Sequence, residues 1–352
     1  MRGGASFVFV VAACGSVGFP ATVTFADTPT CAGAAATIVG AGAIEGTAAD
    51  DVIVGSSGAD AIEGRGGDDV ICGLAGADVV HGGLGNDEIY GGDGNDFLRG
   101  DVFVVGGDAI GGGNDVLYGE DGDDRLLGDS VSILGNASGG GNDVMFGGAG
   151  NDGSIGDSRS VGGNATGAGN DVIDLGPGPN EAAIGDSACF TVGCVAGGAF
   201  GNDQIDVGNE GVLVAVGDHM VGGVGGRVPI GDSVGVAGTA SGAGNDLITG
   251  GAGADHIVGD SLVGPGSTVL RAGNDVLVAG GGDDIVMGDH AIKDATTGSE
   301  GGNDLLVGGD GDDRLMAGSG NDTLDGGKVS DDCDGDSGLD TTRSCEAVIN
   351  VP

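Results

Sequence analysis

Aspartate recurs every nine residues from Gly46 onward, between glycine-rich turns and short apolar segments. Residues 46–99 divide into GTAADDVIV, GSSGADAIE, GRGGDDVIC, GLAGADVVH, GGLGNDEIY and GGDGNDFLR. These units follow the pattern G-x-x-G-x-D-x-U-x, in which U is apolar. A carboxylate is a hard oxygen ligand of the kind that Ca²⁺ prefers, and glycine lets backbone carbonyls approach an ion closely. The spacing therefore predicts a series of calcium-binding turns.

A second chemical candidate is Ser261, in the tetrapeptide G-D-S-L at 259–262. A nucleophilic serine needs a general base and an oxyanion hole, and the hydrolases that use this tetrapeptide place Asp-x-x-His after the serine. No such motif follows residue 261, and G-D-S recurs at 128, 156, 185 and 231. An active site would not be copied at every repeat, so the sequence indicates a protein that is not an enzyme. An extracellular hydrolase using Ser261 is kept as the alternative function.

The four histidines show no catalytic or metal-binding arrangement. His81, His219, His256 and His290 occupy unrelated positions of the repeat, and none belongs to a His-Glu-x-x-His motif. We expect all four on the surface.

The apolar position of each unit indicates how the turns are held. This position is occupied by Ile53, Ile62, Ile71, Val80, Ile89 and Leu98. Because side chains alternate along a strand, each x-U-x triplet predicts a short strand whose central side chain points inward. Two nonapeptides then make one coil, and successive coils stack about 4.8 Å apart. The predicted fold class is all-β, a parallel β-roll or β-solenoid with an ion between stacked turns.

Alternate turns become longer after Gly100. Units of 28 residues occupy 100–127, 128–155 and 231–258, and units of 29 occupy 156–184, 259–287 and 288–316. Each unit opens with G-D-S, G-D-V or G-D-H and returns to the nonapeptide pattern at G-N-D. One turn of each coil keeps six residues while the other is enlarged. With two strands in each coil, we expect all long loops from 100 to 203 on one side of the solenoid.

Two segments leave the course of the chain open. Residues 207–230 depart from the pattern and add a strand-like step, Val228 to Ile230. If that step is a strand, the loops from 231 onward emerge on the opposite side. The apolar segments Val131–Leu134 and Val234–Val236 offer another alternative, in which each long loop contributes a third strand and the coil is triangular.

An apolar residue usually precedes each G-D pair and would point out of its strand. These residues are Leu127, Ile155, Ile184, Val216, Ile230, Val258 and Met287. Such regularity predicts that the long loops fold back and cover them.

The charge of the chain selects its partners. Acidic residues number 54 and basic residues 11, for a net charge of -43, and charge of that size destabilises a compact state by self-repulsion. The chain is 39% hydrophobic, which argues against a disordered acidic tail. Nucleic acid and anionic membrane surfaces are excluded by the sign of the charge. Multivalent cations are the expected partners.

The first residues indicate export. Arg2 precedes an apolar stretch that begins at Ala5, and T-F-A at 24–26 resembles a cleavage site, so residues 1–26 are predicted to be a secretory signal peptide rather than an inserted membrane anchor. V-A-A-C at 11–14 leaves an alternative, a lipoprotein anchored at Cys14.

The cysteines agree with an oxidising compartment. Removing Cys14 leaves an even number, as expected of a secreted protein: Cys31, Cys72, Cys189, Cys194, Cys333 and Cys345. The pairs nearest in sequence are Cys31–Cys72, Cys189–Cys194 and Cys333–Cys345, although the sequence leaves the connectivity open.

The nonapeptide units across 46–325 resemble the RTX, or hemolysin-type, calcium-binding repeat family, in the disulfide-flanked form of secreted bacterial proteins. The resemblance implies a β-roll with several Ca²⁺ ions, held by the sixth-position aspartate and by backbone carbonyls. The implied ligands are Asp60, Asp69, Asp78, Asp87, Asp96, Asp115, Asp124, Asp143, Asp152, Asp171, Asp246, Asp255, Asp275, Asp284, Asp304, Asp313 and Asp322. Asp203 matches locally, but its neighbours depart from the pattern, so its ion is left open.

The G-D openings supply a further hypothesis. Their aspartates could compensate for the enlarged turns as extra ligands: Asp101, Asp129, Asp157, Asp232 and Asp260.

The resulting organisation has five parts: a signal peptide (1–26), an N-terminal cap (27–45), a regular β-roll (46–99), a β-roll with long loops (100–325, degenerate over 175–230) and a disulfide-bonded C-terminal cap (326–352). The expected function is that of a secreted protein that folds on binding Ca²⁺ outside the cell. Such a protein would serve as a structural module or contact an extracellular ligand through its long loops.

Overall fold

The structure is a computed structural model that describes residues 28–191, 194–197, 201–208, 212–217, 220–221, 239–241, 244–263, 268–269, 272–289, 291–292 and 301–351. Throughout these ranges the regular structure consists of β-strands, and no helix there has the length and apolar character needed to cross a membrane. The predicted signal peptide, Cys14, Asp232, His219 and His290 lie outside the described residues.

Each nonapeptide contributes one short strand to one of two long parallel sheets. Ile71, for example, pairs with Ile53 of the coil before and with Ile89 of the coil after. Consecutive nonapeptides alternate between the sheets, which we call sheet I and sheet II. The described strands of sheet I, in order across the sheet, are Ala43–Glu45, Ala61–Gly66, Val79–Leu84, Phe97–Arg99, Arg125–Leu127, Gly153–Ile155, Asn180–Ile184, Val212–Val216, His256–Val258, Ile285–Met287, Arg314–Met316, Asp332–Asp334 and Ala347–Ile349.

Sheet II follows the same order of coils. Its described strands are Ile38–Val39, Val52–Val54, Val70–Ala75, Glu88–Asp93, Val116–Asp121, Val144–Ala149, Val172–Asp174, Gln204–Asp206, Leu247–Thr249, Val276–Gly281, Leu305–Asp310, Thr323–Lys328 and Thr341–Arg343. The parallel solenoid predicted from the nonapeptide spacing is confirmed.

The long loops are themselves regular, because each contributes strands to two further parallel sheets. The described strands of sheet III are Phe103–Val104, Val131–Ser132, Arg159–Ser160, Ala188–Cys189, Met220–Val221, Leu262–Val263 and Ala291–Ile292. Those of sheet IV are Ala109–Ile110, Ala137–Ser138, Ala165–Thr166, Val195–Gly197, Thr239–Ser241 and Thr268–Val269. Wherever sheets III and IV both contribute a described strand, a coil with a long loop therefore contains four strands, and the expectation of two strands per coil is wrong for these coils. The alternative of a triangular coil is also wrong, because it provides only three strands.

The described parts of the long loops, between Phe103 and Ile292, lie on one side of the solenoid. Met220–Val221 pairs with Ala188–Cys189 on one side and with Leu262–Val263 on the other. The predicted switch of sides is thus not found, although Val228–Ile230 itself lies outside the described residues. The predicted start of the unit 231–258 is also wrong, because the coil that ends at Val258 begins at Gly217. The backbone N–H of Gly217 donates to the carbonyl of Val258.

The core is a column of apolar side chains between sheets I and II. Each triplet supplies its central residue, and Ile53, Ile71, Ile89 and Leu117 are fully buried. Burial of these side chains supplies the main apolar driving force for stacking the coils.

A second apolar cluster lies between sheet I and the long loops. Ile184, Val216 and Val258 pack there with Ala188, and Ile155 and Met287 pack against them. Leu127 is buried as well. These are residues that precede a G-D pair, so the prediction that the loops cover them is confirmed, except that Ile230 lies outside the described residues.

A column of asparagines fastens the enlarged turns. Along it, each backbone N–H donates to the side-chain oxygen of the asparagine one coil earlier, at 2.8–3.0 Å from Asn114 to Asn321. The side-chain amide of Asn142 donates to the same oxygen of Asn114. This ladder explains the asparagine of the G-N-D motif without any metal.

Three disulfides join the cysteines that lie nearest in sequence. They are Cys31–Cys72, Cys189–Cys194 and Cys333–Cys345. The first ties the N-terminal hairpin Thr30–Cys31 and Ala34–Ala35 to sheet II. The third lies in the predicted C-terminal cap, where Asp332–Asp334 still extends sheet I and Thr341–Arg343 still extends sheet II.

His81 departs from the expectation that all four histidines are exposed. Its ring is buried, Nδ1 lies 2.8 Å from Oε1 of Glu63, and Nε2 contacts Arg99. The guanidinium of Arg99 in turn stacks on the rings of Phe97 and Phe103. This contact lies at the start of the first long loop. His256 is partly buried.

Candidate metal centre

The sixth-position aspartates form two columns, one at each turn of the coil. The short-turn column precedes sheet I and contains Asp60, Asp78, Asp96, Asp124, Asp152, Asp255, Asp284, Asp313 and Asp331. The long-turn column precedes sheet II and contains Asp51, Asp69, Asp87, Asp115, Asp143, Asp171, Asp203, Asp246, Asp275, Asp304, Asp322 and Asp340. All of them are buried.

One hydrogen bond repeats along both columns. The backbone N–H of an aspartate donates to Oδ1 of the aspartate one coil further on, as from Asp60 to Asp78 at 2.7 Å and from Asp143 to Asp171 at 2.8 Å. The bond fixes the carboxylate, so its second oxygen has a defined direction. In Asp78, Asp87, Asp96, Asp115, Asp124 and Asp143 this Oδ2 is buried without a hydrogen-bond partner.

Backbone carbonyls face the same space as these Oδ2 atoms. A Cβ placed on Gly73 would lie less than 3.0 Å from both Oδ2 of Asp78 and the carbonyl oxygen of Gly91. The same arrangement recurs at Gly91, with Asp96 and the carbonyl of Gly119. Both oxygens are acceptors only. A donor set of carboxylate and carbonyl oxygens suits Ca²⁺, so the residues fit this ion.

The electrostatics also indicate a cation. Burial raises the pKa of Asp87 and of Asp96 to about 7, and neighbouring carboxylates add to the increase, whereas the backbone hydrogen bond opposes it. Burial raises the pKa of Asp115 further, to about 10, with Asp143 contributing. At neutral pH these carboxylates are ionised in the open chain. Without a cation, closing the turn therefore disfavours their ionised form.

Three of these aspartates have a different environment: Asp51 and Asp60, which begin the two columns, and Asp255, within the short-turn column. Burial acts to raise the pKa of Asp51, but hydrogen bonds from Thr47 and Thr37 outweigh it and lower the pKa. Asp60, a predicted ligand, also has donors on both oxygens, from the backbone of Gly42 and of Ser56. The carboxylate of Asp255 likewise accepts from the backbone of Gly251 at 3.0 Å. These turns satisfy their aspartates with N–H and O–H groups.

The short-turn column is interrupted in the degenerate segment, but the long-turn column is not. The strand register puts Glu181 and Leu213 at the short-turn position, between Asp152 and Asp255. On the other side, Asp171 N–H donates to Asp203 and Asp203 N–H donates to Asp246, each at 2.8 Å. Asp203 therefore occupies a regular position, although the sequence around it is irregular.

Three column residues were missed by the sequence reasoning. Asp331 and Asp340 accept the ladder hydrogen bond from Asp313 and Asp322 at 3.0 Å. Both continue the nine-residue spacing of Asp304, Asp313 and Asp322, so the spacing alone could have identified them. Asp51 stands at the same spacing before Asp60.

The serines of the G-D-S openings fasten neighbouring loops. Ser130 Oγ donates to the carbonyl of Gly111 at 3.1 Å, and Ser158 Oγ donates to that of Gly139 at 3.2 Å. Both serines are fully buried, and so is Ser261 at the corresponding position. Ser130 and Ser158 thus have a structural role, whereas the hydroxyl of Ser261 is buried without such a hydrogen bond among the described residues.

A comparison with protein families agrees with these columns. The family described as RTX calcium-binding nonapeptide repeat (4 copies) matches residues 45–80, 73–103, 111–131, 138–156, 165–181, 240–261, 271–289, 299–333 and 308–341. Together these segments cover more than half of the chain. They contain every aspartate predicted as a ligand, whereas Asp203 lies outside them. No curated protein matches the chain.

Proposed function

Because the chain belongs to the RTX calcium-binding nonapeptide repeat family, we infer that it is a secreted structural protein whose folding depends on Ca²⁺. The observation that carries this proposal is the repeated pairing of an Asp Oδ2 with a backbone carbonyl in a buried turn, as at Asp78 and Gly91. Bound Ca²⁺ supplies the positive charge that such a set of acceptors lacks.

The folding step follows from charge and burial. In the open chain the carboxylates are hydrated and a net charge of -43 keeps the segments apart. Closing a coil brings aspartates of successive turns together and removes their water. The turns therefore close when ion binding offsets this cost, and the binding free energy becomes folding free energy. Extracellular modules bind Ca²⁺ with dissociation constants of about 10⁻⁴–10⁻³ M, which would keep the chain open inside a cell.

Export is supported by two features of the chain. Residues 1–26 have the charge and apolar pattern of a signal peptide, and anchoring at Cys14 is the alternative. The three disulfides require an oxidising compartment, which the cytosol is not. An extracellular location also supplies the calcium that the turns need.

The long loops are the proposed contact surface. Sheets III and IV stack them into a continuous ridge along one side of the solenoid. Ile110 and Leu134 are 71% and 69% exposed on it, so apolar groups are available to an extracellular partner. The alternative of a hydrolase is not favoured, since Ser261 is fully buried.

A calcium titration tests the proposal. Purified chain without residues 1–26, with its disulfides intact, would be freed of metal with a chelator and then titrated with CaCl₂ while far-UV circular dichroism is recorded. We expect β-structure to appear cooperatively near 10⁻⁴–10⁻³ M, an order-of-magnitude range, and to disappear when chelator is added again. MgCl₂ is the control, because Mg²⁺ requires a tighter octahedral site. A spectrum indifferent to calcium would refute the proposal.

A further inference from the structure

The aspartates of the G-D openings form a third column inside the long loops. Asp101, Asp129, Asp157 and Asp186 are each fully buried. They belong to the first residues of each enlarged loop and not to the nonapeptide pattern. Asp101, Asp129 and Asp157 are among the extra ligands hypothesised from the G-D openings, and Asp186 is a new member of the set.

This third column meets the long-turn column. Carboxylate oxygens of Asp101, Asp115 and Asp129 all lie within 4.8 Å of one another. The next coil repeats the group with Asp129, Asp143 and Asp157, and the one after with Asp157, Asp171 and Asp186. Asp129 and Asp157 each belong to two groups, so the three groups form one continuous row.

Several of these oxygens are buried without any donor. Asp129 Oδ1 accepts from Gly113 N–H and Asp157 Oδ1 from Gly141 N–H, each at 3.3 Å. The other oxygen of each of these two carboxylates, and both oxygens of Asp101, accept no hydrogen bond of good geometry. The polar groups nearest to Asp101 are the Asp129 carboxylate and the N–H of Gly113. Among the described ion pairs, none involves these three residues. An unpaired buried charge is strongly unfavourable, so the row in its ionised form requires a cation to balance its charge.

The loop backbone is built closely around the row. A Cβ on Gly139 would stand 3.1 Å from Cβ of Asp129, and one on Gly167 would stand 3.1 Å from Cβ of Asp157. The carbonyl of Gly139 is held by Ser158, and that of Gly167 by Ser187 at 3.1 Å. Glycine and serine of the loops thus fix the position of the carboxylates.

We propose that the enlarged loops from 100 to 203 hold a second row of hard divalent cations, of the Ca²⁺ class, between the G-D aspartates and the long-turn aspartates. Asp129 and Asp157 bridge neighbouring sites in this row, and Asp101 and Asp186 end it. The proposal rests on the calcium dependence proposed above and adds sites that the nonapeptide pattern does not contain.

The pKa values agree with this geometry. Burial raises the pKa of Asp129 far above its usual value, and the charges of Asp143 and Asp157 raise it further. Burial and the charges of Asp171 and Asp186 do the same for Asp157. The row disfavours ionisation unless positive charge enters it.

The same position near the C-terminal end provides a matched control. Asp289 is at a G-D opening, but Oδ1 accepts from Gly302 N–H at 2.9 Å and Oδ2 accepts from Ser319 N–H at 2.6 Å. Two backbone donors satisfy this carboxylate, as they do for Asp60. Asp289→Asn therefore removes one G-D carboxylate without removing a site.

The experiment is a count of bound calcium at saturation, by equilibrium dialysis and elemental analysis, with circular dichroism as the check of folding. We expect Asp129→Asn/Asp157→Asn, which removes a ligand from all three groups, to bind about three fewer ions than the unsubstituted chain, and Asp289→Asn to bind the same number. Asp124→Asn, in a short turn away from the row, should lose about one ion. Asp101→Asn, which touches only the first group, is a milder variant and should also lose about one ion.

The outcomes separate the two proposals. If the double variant folds and retains every ion, or if Asp101→Asn does so where the double variant fails to fold, the second row does not exist. If Asp124→Asn loses an ion in the same series, the short-turn sites stand while the row falls. If the unsubstituted chain binds no calcium at all, the proposed function fails first.

Discussion

The backbone N–H of Asp60 donates to Oδ1 of Asp78 at 2.7 Å, and this bond leaves Oδ2 of Asp78 buried without a donor. One oxygen of the carboxylate thus holds the preceding coil in register, and the other is directed to a backbone carbonyl. The two oxygens have these separate roles throughout both aspartate columns. Substituting one aspartate therefore affects coil stacking and ion binding together.

Asp78→Asn should lower the number of bound calcium ions by about one and raise the calcium concentration at the folding midpoint. Asparagine keeps an oxygen for the ladder bond but removes the charge. The measurement is equilibrium dialysis with circular dichroism. Asp121→Asn changes the same charge on an exposed side chain and should leave both quantities unchanged. Equal behaviour of the two variants would argue against an ion at Asp78.

Gly73→Ala should remove an ion site without touching any ligand side chain. The new methyl group would occupy the space that Oδ2 of Asp78 and the carbonyl of Gly91 share. Calcium stoichiometry should fall by about one ion, and the coil should close at higher calcium concentrations. Gly58→Ala is the control, because its Cβ would meet nothing within 4 Å. If Gly73→Ala titrates like Gly58→Ala, the shared space is not a metal site.

Acid should partly replace calcium. In the metal-free fold, burial raises the pKa of Asp87, Asp96 and Asp304 to about 7, above the usual value of 3.8 that applies in the open chain. Groups raised in this way stabilise the fold fully below about pH 4, and this contribution is lost as pH rises through about 7. Circular dichroism in excess chelator should therefore show β-structure near pH 4 that decreases by pH 8. The opposite trend would contradict the assignment of these aspartates as buried.

Leu117→Ala should destabilise the calcium-loaded solenoid by about 2–5 kcal/mol, because it opens a cavity in the column between sheets I and II. Urea unfolding at saturating calcium measures the change. Leu247→Ala truncates a leucine of the same sheet that is 39% exposed, and surface changes of this kind shift stability by about 0.5 kcal/mol. A loss of similar size in both variants would mean that Leu117 does not face the core.

The sequence by itself determined the repeating unit of the fold. The nine-residue spacing of Asp60, Asp69 and Asp78, with an apolar residue two places after each, requires a stacked strand and a carboxylate in every turn. These features are local and repeat with a fixed period, so each copy reinforces the interpretation. The same spacing extends to Asp331 and Asp340, beyond the last full consensus unit.

Tertiary structure decided what the long loops do. Val131–Ser132 and Ala137–Ser138 are too short to be recognised as strands alone, and they become strands because the loops of neighbouring coils lie alongside them. Asp101 and Asp115 are fourteen places apart in sequence, and only the return of the loop brings their carboxylates within 4.8 Å. The nine-residue period specified the turns. Contacts between loops created the second row of carboxylates, and the period does not encode those contacts.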